Sequence, residues 1–372
     1  MNTDLVPALD PTAIPAPSWL FHFLLVFTFV LHALFMNLAL GGTILAAISQ
    51  LFSGGRGGED RVALARRLMG INTYAISLAI TTGIAPLLFV QVLYQQFFYT
   101  ATILIGWMWL TLLVMLMLGY YAAYAYKFRG APAKGSGGTV WLMVAAVMFL
   151  LIAMIHVAVN LIHSQPGKWA ALAENPWAIL ADAAYFPRLL HFVLAAIGFT
   201  SIIAAWWAAR QAAAGRDVDR NTQIARYTWR WTLWTTLLQI LGGFLLLMVL
   251  PRDVLLGLMR GGAATMIPLT LSIVLGIGML MMLARVSEPA QKLGTVTGTL
   301  ATMVLTVVVM SITRHQVRVI YLQPVTSQYE MVSAPQWGNF VLFALLLVAG
   351  LATVAYMVKQ VLGNPARGKE AA

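Results

Sequence analysis

Apolar runs of roughly 20 residues or more recur from one end of this chain to the other, and each is long enough to cross a bilayer core. Lipid offers no hydrogen-bond partners to backbone N–H and C=O groups, so a spanning segment must be a helix or part of a closed barrel. The alternating apolar–polar pattern of a barrel strand is absent. The expected fold class is therefore an all-α integral membrane protein, its helices gathered into bundles as a single polytopic membrane domain over residues 1–372. Only 9% of residues are charged, against about 25% in a soluble domain.

Nine spans are expected, at 19–50, 70–94, 102–126, 139–163, 186–210, 228–250, 263–285, 294–321 and 338–361. The first run exceeds the ~20 residues a crossing requires, so its helix tilts or extends beyond the membrane. The N-terminal segment carries acids and prolines but no Lys or Arg, and so lacks the positive region of a cleaved signal peptide. The net charge of +11 raises nucleic acid as a partner, but the basic residues sit in short loops between apolar runs. That placement excludes nucleic acid and makes the lipid bilayer the partner. The chain has no cysteine, which removes disulfides, iron–sulfur clusters, thiolate metal sites and covalent CxxCH haem attachment.

Of the 23 Lys and Arg, 17 fall on one side of a nine-span arrangement. Lys168, Arg188, Arg252, Arg260, Arg314 and Arg318 fall on the other. The positive-inside rule makes the richer side cytoplasmic and puts the N-terminus outside, in the periplasm of a bacterium. All six histidines then lie toward the outer face. His22 opens the first span, and His32 lies ~15 Å deeper at ~1.5 Å per residue. His156 and His163 occupy the outer half of span four, His191 opens span five, and His315 closes span eight. His156 and His163 share a helix face two turns apart, so they cannot be the two axial ligands of one haem. Ionisable side chains inside membrane helices are costly and point to function. Helix–helix hydrogen bonding or an interfacial position is the bland alternative for each. Neutral imidazole ligates haem iron, often with Met opposite it, and a helical bundle is a common haem site. Arg188, Arg252, Arg260, Arg314 and Arg318 suit haem propionates, because Arg pairs bidentately with carboxylates. Interfacial snorkelling is their alternative. Trp206, Trp207, Trp229, Trp231 and Trp234 flank one inner loop and read as an interfacial belt.

Four segments resemble subunit I of the cytochrome bd quinol oxidases. His32-Ala33-Leu34-Phe35, running on to Leu40-Gly41, is similar to the helix that carries the haem d ligand. Met69-Gly70-Ile71-Asn72 and Thr82-Gly83-Ile84 resemble that subunit's Phe-Gly-Ile-Asn … Thr-Gly segment. Val159 to Gly167 resembles Ala-Asn-Gly-Trp-Met-Gln-Asn-Pro-x-Gly, and Asn175-Pro176 with Arg188-Leu189-Leu190-His191 resembles the segment bearing the low-spin haem b histidine. The likeness covers 18–210; residues 228–361 form a divergent second half. It implies His191 as an axial ligand of haem b and His32 at the haem d position. It puts Met266 near the place of the second low-spin ligand, without the surrounding Phe-Arg-x-Met-Val-Gly. His315 stands where the family has Gly-Arg-Gln-Pro-Trp, as a replacement ligand, and His156 and His163 add further candidates.

Two departures redirect the expectation. Span three carries no acid where the family places glutamates, and none of the 12 acidic residues falls well inside a span. The link between spans six and seven is only Pro251 to Gly262, where the family has a large quinol-binding loop. The expectation is a b-type cytochrome of the bacterial cytoplasmic (inner) membrane. It would carry electrons between quinone/quinol and a periplasmic c-type cytochrome or other redox subunit, with one or more haem b. The alternatives are a cytochrome bd-type terminal quinol oxidase, a membrane anchor for an extracytoplasmic cytochrome, and a cofactor-free transporter. The last rests on Pro86 and Pro268 as candidate helix breaks.

Overall fold

The computed structural model describes residues 6–8, 12–55, 57–128, 136–327 and 331–363. Arg56, Arg129, Lys134, Arg367 and Lys369, counted above on the basic side, lie outside the described residues. Apart from short 3-10 turns and one isolated bridge, the described residues form helices. They are α1 (Ser18–Leu51), α2 (Gly58–Leu93), α3 (Gln95–Leu104), α4 (Gly106–Phe128), α5 (Ser136–Ser164), α6 (Trp169–Glu174), α7 (Tyr185–Ala213), α8 (Val218–Met248), α9 (Arg252–Arg260), α10 (Ala263–Ala284), α11 (Leu293–Thr326) and α12 (Trp337–Gly363). Eight of these are long and apolar enough to cross a membrane. The ninth expected span is α12, whose apolar stretch over Trp337–Thr353 is shorter.

Several helices outrun the expected spans. α2 begins at Gly58 rather than near 70, and α8 at Val218 rather than near 228. Their first turns carry acids that favour a helix N-terminus, Glu59 and Asp60 in α2 and Asp219 in α8. The third expected span is divided: α3 ends at Leu104, and α4 starts after Ile105. Neither Pro86 nor Pro268 breaks its helix; α2 and α10 run through them.

Contacts divide the chain into two units, Met1–Leu9 with Leu24–Tyr329, and Asp10–Phe23 with Glu330–Ala372. In the smaller unit, Ile14 pairs with the strand-like approach to α12. Its N–H donates to Val332 O at 2.9 Å, and its carbonyl accepts from the Ala334 N–H at 2.9 Å. In the larger unit α7 packs along α8, α4 along α5 and α10 along α11. One core joins α1, α2, α4, α5, α7 and α8 through small side chains such as Ala46, Ala65, Ala123, Ala145 and Ala208. Where lipid removes the hydrophobic drive for association, small residues let helices pack closely. A second core of Phe199, Ile202, Trp229, Met279, Leu283 and Met303 joins α7, α8, α10 and α11.

The helix α1 is gripped from two sides. From α2, the buried Asn72 amide donates to Ala39 O at 3.0 Å and to Thr43 Oγ1 at 2.6 Å. From α7, Thr200 Oγ1 donates to Asn37 O at 3.1 Å. Gly41 meets α7 backbone to backbone: a Cβ there would lie 2.0 Å from Ala196 O. No rotamer change relieves a backbone clash, so Gly41→Ala should cost about 3 kcal/mol of stability, the upper part of the overpacking range. Gly276→Ala, whose nearest neighbour would be 3.7 Å away, should be tolerated. Thermal unfolding of both variants in one detergent measures the difference.

Candidate functional site

The histidines gather at one end of the larger unit. His191 lies one and a half turns into α7, His156 and His163 lie in the last turns of α5, and His315 lies in the second half of α11. His32 is part-way along α1, and His22 sits on the portion of α1 that belongs to the smaller unit.

A cavity of about 270 Å³ opens beside His191. Its wall is mostly apolar and is contributed by α1, α5, α7, α8, α9, α10 and α11. Arg188, Arg314 and Arg318 line it together with His191. Arg188 donates to Asn160 Oδ1. Arg314 stacks over Phe29 at 4.3 Å, and Arg318 lies over Tyr94 at 5.4 Å. The Nε of each of these three arginines is buried without a hydrogen-bond partner. Among the described residues none of the three forms an ion pair with a carboxylate. Removing a guanidinium from water without a counter-charge costs several kcal/mol. The arrangement therefore suits a ligand that brings negative charge at its edge and an apolar body.

His191 is held in one orientation. Gln239 of α8, lying 2.9 Å from its Nε2, donates from the side-chain amide, so the ring accepts there. Its buried Nδ1 has no partner. Across from the ring, Gly243 leaves space that a Cβ would close to 3.4 Å of His191 Cε1. The sulfurs in reach of the same cavity belong to Met36, Met279, Met303 and Met310. Met266 does not line it and is 45% exposed.

Next to this cavity lies a second grouping. His32 Nδ1 donates to Ala79 O of α2 at 2.9 Å, which leaves Nε2 as the nitrogen available for ligation. The ring fits against Gly83, where a Cβ would stand 2.9 Å from His32 Nδ1 and Cε1. His156 and Arg314 are close enough to interact electrostatically with His32, as Arg314 and Arg318 are with His163. His163 is buried, with its Nε2 unpartnered, between the rings of Tyr94 and Phe97 at 5.6 and 6.2 Å. The expected link 95–101 folds into α3, and this explains the cap, since α3 carries Phe97 to the end of α5. His156 Nδ1 donates to Ile152 O on its own helix and meets Trp109 edge-on at 5.8 Å. No group of three His, Asp or Glu side chains able to hold a bare metal ion occurs among the described residues.

The structure thus brings together His191, Arg188, Arg314 and Arg318 in one cavity, and His32, His156 and His163 beside it. His315 does not line the cavity although it neighbours Arg314 in sequence. Arg252 and Arg260 are exposed on α9, whose buried residues are Val254 and Leu258. The partners that sequence reasoning missed are Gln239, Gly243 and the four methionines. Gln239 had a signal, a lone amide within an apolar run three residues before Gly242-Gly243.

No family model matches this chain, and no curated protein matches it in sequence. By structure it is similar to the bd oxidase from Geobacillus thermodenitrificans, with a TM-score of 0.74 over 95% of this chain and 100% of that one, at 14% identity. The likeness is one of fold: a helical membrane bundle of the bd-oxidase type.

The contact between Gly83 and His32 is testable by a double-mutant cycle. Gly83→Ala should lower stability by about 1–3 kcal/mol through overpacking against the ring. Adding His32→Ala removes the clashing atoms, so in that background Gly83→Ala should cost almost nothing. Equal costs in both backgrounds, read by thermal unfolding, would exclude the contact.

Proposed function

We propose that this protein is a membrane-bound cytochrome that holds one or more b-type haems at its histidine-bearing end. It would carry electrons between the quinol pool and a periplasmic redox partner such as a c-type cytochrome. The observation that carries the reading is the set of three buried arginines without a carboxylate, around a cavity that also presents His191. Haem fits these residues: it has an apolar macrocycle, two carboxylates, and an iron that needs one or two protein ligands. When bound, it supplies reversible one-electron transfer.

The chain's own groups have separable tasks in this reading. His191 would offer a nitrogen to the iron, and Met36, Met279, Met303 and Met310 are the thioethers that line the same cavity. Gln239 orients the imidazole and must yield or turn if Nε2 is the ligating atom. Arg188, Arg314 and Arg318 would hold the propionates, and the apolar wall would exclude water. His32, with Nδ1 fixed by Ala79 O, is the candidate for a second haem, and His156 and His163 supply further nitrogens. The fold likeness to a bd oxidase and the resemblance of the span-one to span-five motifs support this assignment. The asymmetry of basic loops supports a bacterial inner-membrane location with the histidine-bearing end outward.

One observation favours a second reading, a terminal quinol oxidase. His32 is oriented and cradled as a ligand would be, although no carboxylate stands near it in the described spans. Oxygen consumption with an artificial quinol separates the two readings: sustained turnover selects the oxidase.

The purified protein should give a pyridine haemochrome of b type and a reduced-minus-oxidised difference spectrum. His191→Ala should remove the contribution of one haem and leave the rest, with the chain still extracted as a folded species. A colourless wild-type protein purified from haem-sufficient cells would overturn the proposal.

A further inference from the structure

At the opposite end of the larger unit lies another cavity, of about 480 Å³, between the start of α2 and the start of α8. It is independent of the haem reading and has a different character. Asp60, Arg61, Gln223, Arg226, Tyr227 and Arg230 are its polar lining. The two carboxylates in the neighbourhood are already engaged: Asp60 faces Arg220 at 3.5 Å, and Glu288 takes both oxygens' worth of hydrogen bonds from Arg226 at 2.8 Å. Two cations remain uncompensated. Arg61 donates to Phe52 O and stacks over Tyr227 at 5.4 Å, but meets no carboxylate among the described residues. Arg230 has neither a hydrogen bond nor an ion pair among them.

The surroundings specify what such a surplus can bind. Along α8, Arg226 and Arg230 are followed at helical spacing by Trp234, Leu238, Leu241 and Leu245, all exposed. Positions three and four apart stack on one face of a helix. One stripe of α8 therefore passes from guanidinium groups to bare apolar side chains, as a bilayer passes from headgroups to acyl chains. Guanidinium groups bind phosphate bidentately, and basic pockets between membrane helices take anionic lipid headgroups.

We propose that this cavity binds the phosphate diester of an anionic phospholipid, with an acyl chain lying along the Trp234–Leu245 stripe of α8. A soluble phosphate would share the arginine chemistry but leave the stripe without a role.

The test uses the full-length chain in phosphatidylcholine nanodiscs containing spin-labelled phosphatidylglycerol or spin-labelled phosphatidylcholine. The immobilised fraction reports association. The wild type should prefer phosphatidylglycerol. Arg230→Gln, a change at an exposed side chain, should reduce that preference roughly five-fold, the effect expected of one basic residue. Arg61→Gln should do the same, and Arg230→Lys should retain the preference. Arg285→Gln, exposed at the same end but outside the cavity, should change nothing. Equal association of the two lipids, or an unchanged preference in both Arg230→Gln and Arg61→Gln, overturns the proposal. Displacement of phosphatidylglycerol by chainless glycerol 3-phosphate at equal concentration would show a soluble-phosphate site and overturn it as well.

Discussion

A guanidinium group inside an apolar bundle must find a negative partner or lose several kcal/mol of hydration free energy. Arg188, Arg314 and Arg318 converge on one cavity that no carboxylate lines; the nearest acid acting on them, Asp182, is already paired with Lys168, and that imbalance organises the histidine-bearing end. Partial relief comes from Asn160 Oδ1 and from the faces of Phe29 and Tyr94. An amide oxygen and two ring quadrupoles offset only part of three full charges. The remainder is a demand for an anionic ligand, built into the fold before the identity of that ligand is considered.

The helix α1 places this demand next to the histidines. Phe29, Ala33, Met36 and Asn37 form one face of it and line the cavity, while His32 turns toward α2. Its position is set by contacts that tolerate little variation: Gly41 against the α7 backbone, Asn72 reaching Ala39 and Thr43, and Gly83 against the His32 ring. These are among the residues through which the chain resembles the bd-type subunit. Part of that resemblance therefore records how α1 is seated rather than any ligand chemistry.

This explains what could be read from sequence. Membrane helices were legible because hydrocarbon admits few backbone conformations, and α1, α5, α7 and α10 begin and end within a few residues of the expected limits. The break at Ile105 was not legible, because an apolar run looks the same whether the chain crosses directly or forms α3 first. His191 and the set Arg188, Arg314 and Arg318, singled out by chemistry and position along the chain, line one cavity. Arg252 and Arg260 have the same chemistry and the same side, but α9 turns Val254 and Leu258 inward and leaves both arginines exposed. Met266 was chosen by its place in sequence, whereas the cavity's thioethers are chosen by helix rotation, which sequence position alone does not report.

The two ends of the bundle treat positive charge in opposite ways, and loop counting does not capture that contrast. At the basic end, arginines meet Asp60, Asp217 and Glu288, or lie over indole rings as Arg67 does over Trp207 at 3.6 Å. Those groups sit where water and headgroups screen them, so each pair contributes little and a surplus cation is inexpensive to keep. At the histidine-bearing end Arg252 and Arg260 are exposed, but Arg188, Arg314 and Arg318 are buried and form no ion pair among the described residues. By number, the basic end dominates the electrostatics of the chain. By free energy per charge, the few buried arginines matter more, because low dielectric strengthens every uncompensated interaction. A ligand carrying two carboxylates gains more from Arg188, Arg314 and Arg318 than from the larger population of exposed cations, which is why charge density along the sequence points away from the site and burial points toward it.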